Sequence, residues 1–295
     1  MFIFPILAAL GASFGWAAGI VLAQSPAKQL GAFEFTRIQL LACSAILAAF
    51  CSVFGNWSTV TWQFWPSFTA SSCFGIVLGN LAMIECLRRG GPRRTELLLS
   101  LKAPFVAAIA YVWLNEIPSS TDIVGAVIIL CGVGLAVFFG SNKQSNSDAK
   151  TGNIMVVIFL GITATAFQGF GFLVMKPAML AGTEPLAASA IRLLGAAFLI
   201  SLITLWPSKI FASHCKLTPQ LLGRTILPGF IGYGISSSLL LYAFANFDAG
   251  IATVLGSLSP VIILPILWFK EGIPPRPQAV LGAALAVIGT AVIVV

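Results

Sequence analysis

Charge is what this sequence has least of. Only 8% of its 295 residues are Asp, Glu, Lys or Arg, while 58% are hydrophobic. A soluble domain carries about a quarter charged residues, so this chain cannot keep a comparable surface in water, and lipid is the solvent that suits most of it. Histidine is nearly missing: His214 stands alone, with only Cys215 beside it. The cysteines (Cys43, Cys51, Cys73, Cys86, Cys131, Cys215) show no C-x-x-C spacing, and five of them fall inside apolar runs. That excludes a metal centre and makes cysteine a small apolar filler here. H-E-x-x-H and the phosphate-binding P-loop are absent, and the G-x-S-x-G string at Gly11 to Gly15 lies inside an apolar run with no strand-to-helix turn, which removes the common hydrolytic machinery and an ATP cradle. No basic stretch precedes the apolar run from Phe2 to Leu22, and no small-residue cleavage site ends it, so that run reads as a first span rather than a signal peptide.

What the sequence does have is long apolar runs. A spanning helix needs about 20 mostly apolar residues. Ten segments approach that length: 3–23, 32–54, 66–88, 93–114, 121–139, 152–175, 186–206, 225–246, 249–269 and 277–295. Breakers separate several of them, among them Ser25-Pro26, Gly90-Gly91-Pro92, Pro118, Trp206-Pro207 and Pro274-Pro275. The net charge of +7 need not mean nucleic acid, because the basic residues fall mostly between the runs, where they set orientation.

The longest polar stretch, Ser141 to Lys150, divides five segments from five, and the two halves resemble each other. Leu98-Leu-Ser-Leu-Lys-Ala-Pro104 recurs as Val254-Leu-Gly-Ser-Leu-Ser-Pro260. Each is followed by an apolar run and an acid, at Asn115-Glu116 and at Lys270-Glu271. Each half ends in a glycine-punctuated segment, Gly125 to Gly134 and Gly282 to Gly289. Arg37 matches Arg192, and Leu10-Gly11 matches Leu160-Gly161. With an odd number of spans per copy, the second copy enters the membrane upside down. The fold expected is therefore an all-α polytopic membrane protein, ten transmembrane helices as two inverted five-helix repeats: 1–140, a polar linker 141–151, and 152–295. Inverted repeats are the frame on which secondary transporters build alternating access.

These residues resemble the drug/metabolite transporter superfamily, and within it the EamA-like family. The resemblance is carried by the stretch from Leu87 through Arg88-Arg89-Gly90-Gly91-Pro92 to Pro104, by Asn115-Glu116 and Gly125-Ala126, and again by Ala243 to Pro260, Glu271 and Gly282-Ala283. It covers the whole chain. It implies a ten-helix carrier of small metabolites with both termini inside the cell. Charge counting implies the reverse: the loops after odd-numbered spans hold 12 of the 16 basic residues, which places both termini outside. The chain departs from the family pattern at Lys102, where members often have an acidic or small residue ahead of the fourth-helix proline.

Ionisable residues inside a membrane are costly and mark function by default. Lys102 lies about ten residues beyond the Gly90-Gly91-Pro92 tip, roughly 13 to 15 Å at 1.5 Å per residue, too deep for its stem to reach headgroups. It needs a cavity, a distant acid or an anion, and we assign it to an anionic group of a substrate. Asn80, Gln168, Trp16, Tyr242, Ser257 and Ser259 are the other candidate lining residues; packing explains each of them as well. Pro104 and Pro260 interrupt matching spans and free backbone groups that must find partners. Glu85 and Glu96 sit near the hairpin of spans three and four, where an ion-paired tip or a gate accounts for them. Glu85 precedes Arg89 by four, a favourable pairing order, and Arg93 precedes Glu96 by three. Glu34 can pair with Arg37, and structural roles account for Arg37 and Arg192. Gly11, Gly15 and Gly19, like Gly75 and Gly79, allow close helix approach, as packing or as sliding surfaces.

The expected function is secondary transport of a small metabolite, an amino acid or another anion-bearing organic solute, by alternating access. A membrane-embedded enzyme or a lipid-handling protein is the alternative, and a receptor or scaffold a third; the pseudo-symmetry argues against the last. No cofactor and no metal are expected, with coupling to a proton gradient or to solute exchange. The expected partners are a small-molecule substrate and the lipid bilayer, with no nucleic acid and scope for a homodimer. The expected location is a plasma membrane, a bacterial inner membrane, crossed many times.

Overall fold

The computed structural model describes residues 3–139, 154–205, 217–246, 248–272 and 274–294. The linker 141–151, His214 and Cys215 lie outside them. Among the described residues every regular element is helical. Eight helical stretches are long and apolar enough to cross a membrane: Ile3–Leu30, Ala32–Phe54, Trp62–Pro92, Arg94–Leu114, Ile154–Leu180, Pro185–Thr204, Pro219–Asn246 and Ala249–Phe269. Two further apolar helices, Ser120–Leu135 and Pro277–Gly289, are shorter. Large apolar side chains face outward, Phe4, Val112 and Phe269 among them, while Glu34, Lys102 and Arg192 are buried. The chain is a multi-pass membrane protein, apolar where lipid would touch it.

Helices α1 (Ile3–Leu30) and α2 (Ala32–Phe54) are continuous. Gly31, at φ 81°, turns the chain between them, a conformation that glycine alone adopts freely. The third stretch is not uniform. After α3 (Trp65–Ala70) the chain widens into a π-helix over Ser71–Leu78 before α4 (Gly79–Ser100). Gly91, at φ 76°, followed by Pro92, folds α4 into a hairpin. The fourth span then breaks again at Leu101, and α5 (Lys102–Leu114) continues it. The break falls in the turn that Pro104 disrupts, since the proline ring displaces the carbonyl four residues back. The first half closes with α6 (Ser120–Phe139).

The second half copies these irregularities. It runs through α7 (Ile154–Leu173), the short α8 (Lys176–Leu180) and α9 (Pro185–Thr204). Next comes α10 (Pro219–Gly229), capped by Thr218, whose hydroxyl accepts from Leu221 N–H. A π-helix over Phe230–Ser236 leads into α11 (Ser237–Asn246). Then α12 (Ala249–Gly256) breaks at Ser257-Leu258, α13 (Ser259–Glu271) starts with Pro260 in its first turn, and α14 (Pro277–Val294) ends the chain. Both α5 and α13 end in a left-handed residue, Asn115 and Gly272. The residue patterns foretold interruptions at the two prolines but not the π-helices, which no sequence motif marked.

The packing is its own image when the halves are exchanged. Helix α1 lies against α10, α11 and the π-helix between them, while α7 lies against α4 and its π-helix. The remaining pairs join like to like: α2 with α9, α5 with α12, and α6 with α14. Glycines make the closest approaches. A Cβ on Gly75 would sit 2.7 Å from Gly171 Cα, and one on Gly132 would meet Ala286 N at 2.6 Å. The Gly11, Gly15 and Gly19 stripe faces Leu239, Ser236 and Pro228. With no hydrophobic gain between helices in lipid, such backbone proximity is a main source of attraction. Gly75→Ala is expected to cost about 1–3 kcal/mol by overpacking, read as a lower melting temperature of the detergent-solubilised protein; an unchanged melting temperature would show that this contact yields.

Candidate functional site

At each break the local backbone bond is long, 3.3 Å from Leu101 N–H to Leu98 O and 3.4 Å from Leu258 N–H to Leu255 O, and in lipid a second donor strengthens it. At the break before α5, Thr165 Oγ1 of α7 donates to Leu98 O at 2.8 Å. At the break after α12, Ser13 Oγ of α1 donates to Leu255 O, also at 2.8 Å. Ser259 Oγ returns a bond to Ser13 O at 3.1 Å. The first span of each half thus caps the interrupted helix of the other.

Between these two breaks lies a cavity with about 960 Å³ of empty space, its open mouth included. Every helix except α3, α6, α8 and α14 contributes to its wall. Most of the expected lining residues are there: Trp16, Asn80, Gln168, Lys102, Ser257 and Ser259, together with Pro260 and Glu96. Three are not. Tyr242 is exposed on the outer face of α11, and Pro104 is exposed on the first turn of α5. Glu85 is engaged outside the cavity by Arg88 and Arg89 at 2.9 and 2.6 Å, as an ion-paired hairpin tip. The Arg93 side chain lies outside the described set, so its pairing with Glu96 does too.

Several lining groups are already committed. Asn80 Nδ2 donates to Thr36 Oγ1 at 3.3 Å, and Gln168 Nε2 to Gly79 O at 3.4 Å. Ser257 Oγ donates to Thr253 O at 2.7 Å, leaving its oxygen as an acceptor. Lys102 Nζ stands 5.0 Å from the Trp16 ring centroid and 5.9 Å from that of Phe172, within cation–π range. Glu96 is close enough to act on it electrostatically. The distant acid that the sequence could not place is therefore Glu96, six residues back across the break.

Sequence reasoning gave Arg192 a structural role. The structure puts its guanidinium in the cavity wall, 1% exposed and 4.5 Å from the Phe172 ring centroid. Its Nε donates to Ser71 Oγ at 2.6 Å and its Nη1 to Ser237 Oγ at 3.3 Å. Those hydroxyls belong to one π-helix and to the residue just after the other. A usable signal was present: Arg37 has Glu34 three residues before it, and Arg192 has no acid at that spacing.

A second, smaller set of polar groups closes one end of the bundle. Glu116 pairs with Lys176, and its Oε2 accepts from Ala249 N–H at 2.8 Å. Nearby, Glu184 Oε2 accepts from Asn56 N–H, and the Thr61 and Thr183 hydroxyls share a bond. Beside Glu116, the Asp248 carboxyl is held above its usual range, by partial burial first and then by the charges of Glu116 and Asp122, against the opposing effect of Lys176. A raised carboxyl favours the neutral form in the folded protein. Asp248→Asn is therefore expected to melt slightly higher at neutral pH, and the gain should vanish as pH falls and the native carboxyl protonates; a gain that persists in acid contradicts this.

A family model described as the EamA-like transporter family matches residues 3–138 and again 155–295. The chain belongs to the EamA-like transporter family. The two matched stretches are the two halves whose packing exchanges onto itself, so this EamA-like protein has the family's two-repeat architecture. Family members are membrane transporters of small molecules, not enzymes. One solved protein crystal structure is 17% identical, covers 98% of this chain and 95% of its own, and superposes with a TM-score of 0.76, which shows the shared fold. A comparison with the curated proteins yields no match.

The cavity makes a prediction about water. In a background with the native cysteines replaced, a cysteine introduced by Ser257→Cys should react with a membrane-impermeant thiol reagent from one side of the membrane, and one introduced by Tyr242→Cys should not. Equal labelling of both would mean that the cavity wall has been misplaced.

Proposed function

We propose that this EamA-like protein is a ten-span secondary transporter that moves a small organic solute with an anionic group across a plasma membrane by alternating access. The observation that carries the reading is the cavity itself. It is deep in the bundle, walled by both repeats, bounded by two broken helices, and carries Lys102 and Arg192 against the single acid Glu96. Discontinuous helices at a repeat interface are where secondary transporters place their substrates. An excess of buried positive charge favours an anion-bearing ligand.

The conformation fits one stage of such a cycle. On α1 the lining runs from Trp16 to Ala23, on α2 from Gln39 to Phe35, and on α4 from Asn80 to Ile84. All three advance towards the end that carries the Gly91-Pro92 hairpin. The opposite end holds the Glu116–Lys176 pair and the Asn56–Glu184 and Thr61–Thr183 bonds. We read this as a state open at the hairpin end and latched at the other. In the opposite state those latches part and the hairpin end closes. With no P-loop in the sequence, the driving force is a proton gradient or exchange for a second solute.

The test is flux. Reconstituted into liposomes, the protein should move members of a carboxylate-bearing metabolite panel without ATP. Trp16→Ala should lower that flux about tenfold through lost aromatic contact, and Tyr242→Ala should leave it unchanged. A protein that moves nothing in the panel, under an imposed proton gradient or with counter-solute, sinks the proposal.

A further inference from the structure

Arg192 is fully sequestered, yet it is met only by neutral groups. Its partners are the hydroxyls of Ser71 and Ser237 and the face of Phe172. Among the described residues no carboxylate forms an ion pair with it. Burying a charge without a counter-charge is expensive, so a resting arrangement of this kind needs a reason.

The other arginine near the start of a span supplies a contrast. Arg37 on α2 pairs with Glu34, three residues before it, at 2.7 Å and is 34% exposed. At that spacing before Arg192 stands Ser189, whose hydroxyl is buried without a hydrogen-bond partner. Aligned by their first residues, Ala32 and Pro185, α2 and α9 bury matching positions, and Arg192 then corresponds to Gln39 rather than to Arg37. Lys102, by contrast, keeps Glu96 within electrostatic reach and lies over Trp16. Of the three charged side chains that line the cavity among the described residues, two offset each other and Arg192 is the remainder. In the same cavity wall the Tyr233 hydroxyl is buried and has no hydrogen-bond partner.

The geometry points to Arg192 as the anchor for one carboxylate of the transported solute, with the Tyr233 hydroxyl as an accompanying donor and Phe172 and Trp16 flanking the solute's apolar body. This rests on the transporter reading and narrows it to organic monocarboxylates. A guanidinium presents a planar fork that matches a carboxylate; Ser71 and Ser237 fix the fork from behind and leave its other N–H groups for the ligand. A single negative charge neutralises the cavity, whereas a phosphate dianion would leave it negative in a low-dielectric site. Lys102 stays with Glu96 and is not the primary anchor.

The experiment compares the thermal stabilisation of purified full-length protein by phenylacetate, phenyl phosphate and phenylacetamide, used as probes. Phenylacetate should stabilise the wild type best. Arg192→Gln should weaken that response roughly a hundredfold in probe concentration. Ser189→Glu should weaken it comparably, because it supplies an internal counter-ion at the spacing of Glu34 while keeping Arg192. Removing the offsetting pair together, Lys102→Gln with Glu96→Gln, leaves the net charge of the cavity unchanged and should change it by less than about tenfold. The melting temperature without probe reports folding of each variant, and the three variants test the assignment independently. Loss of the response in the Lys102→Gln, Glu96→Gln double variant with retention in Arg192→Gln or Ser189→Glu overturns the anchor. Preference for phenyl phosphate or for the neutral amide overturns the monocarboxylate class. If none of the probes stabilises the protein while the liposome panel still shows flux, this assignment fails and the transport reading stands; absence of all flux removes the transport reading itself.

Discussion

A helix interrupted inside a bilayer has to find partners for its freed backbone groups, and that requirement organises this protein. Two helices are broken at equivalent places, before Lys102 and before Ser259. Each break keeps a backbone bond from its own half, Leu101 N–H to Leu98 O and Leu258 N–H to Leu255 O, and takes a second bond from the other half. Thr165 of α7 reaches Leu98 O, and Ser13 of α1 reaches Leu255 O. The exchange pulls α1 and α7 into the centre, pairs the broken spans across the middle as α5 and α12, and pushes α6 and α14 to one side, where they pack on each other and stay out of the cavity. The cavity is the space that remains between two capped breaks, so its position follows from backbone chemistry before any lining side chain is considered.

Departures from symmetry give that space its chemistry. Arg192 in one half stands where the other half has Gln39, and among the described residues no acid is paired with it. Lys102 on one broken helix corresponds to Ser259 on the other. A strictly symmetric pair of halves would present identical groups from both sides and could not distinguish the ends of a solute. Here the positive groups gather around Phe172, while the hydroxyls of Ser257 and Ser259 lie at the opposite break.

Much of this could be read from the residues. The apolar run lengths gave the eight helices long enough to span, with the fifth and tenth runs forming shorter apolar helices, the recurrence of Ser-Leu and proline located both breaks, and Lys102 was visible as a charge too deep to snorkel. Glu85 with Arg89 and Glu34 with Arg37 are local pairs, fixed by helix spacing alone, and they form as spacing predicts. What could not be read depends on which helix faces which. Glu96 reaches Lys102 only because the helix breaks between them. Tyr242 and Gln168 are equally plausible on a helical wheel, and only packing turns one outward and the other inward. The π-helices over Ser71–Leu78 and Phe230–Ser236 insert a residue's worth of rotation that shifts every later side chain on the span, so no constant-period reading could follow the lining past them.

The crossed capping also bears on how the chain is made. Spans reach the membrane in order, and the α4–α5 break is inserted before α7, which carries its capping hydroxyl, has been synthesised. Until then Leu98 O has its local bond from Leu101 N–H and lacks the second one, and α1 likewise waits with Ser13 for a partner eight spans away. The two halves are alike enough to be copies, yet neither is complete when it leaves the ribosome, and the first must be held open for the second.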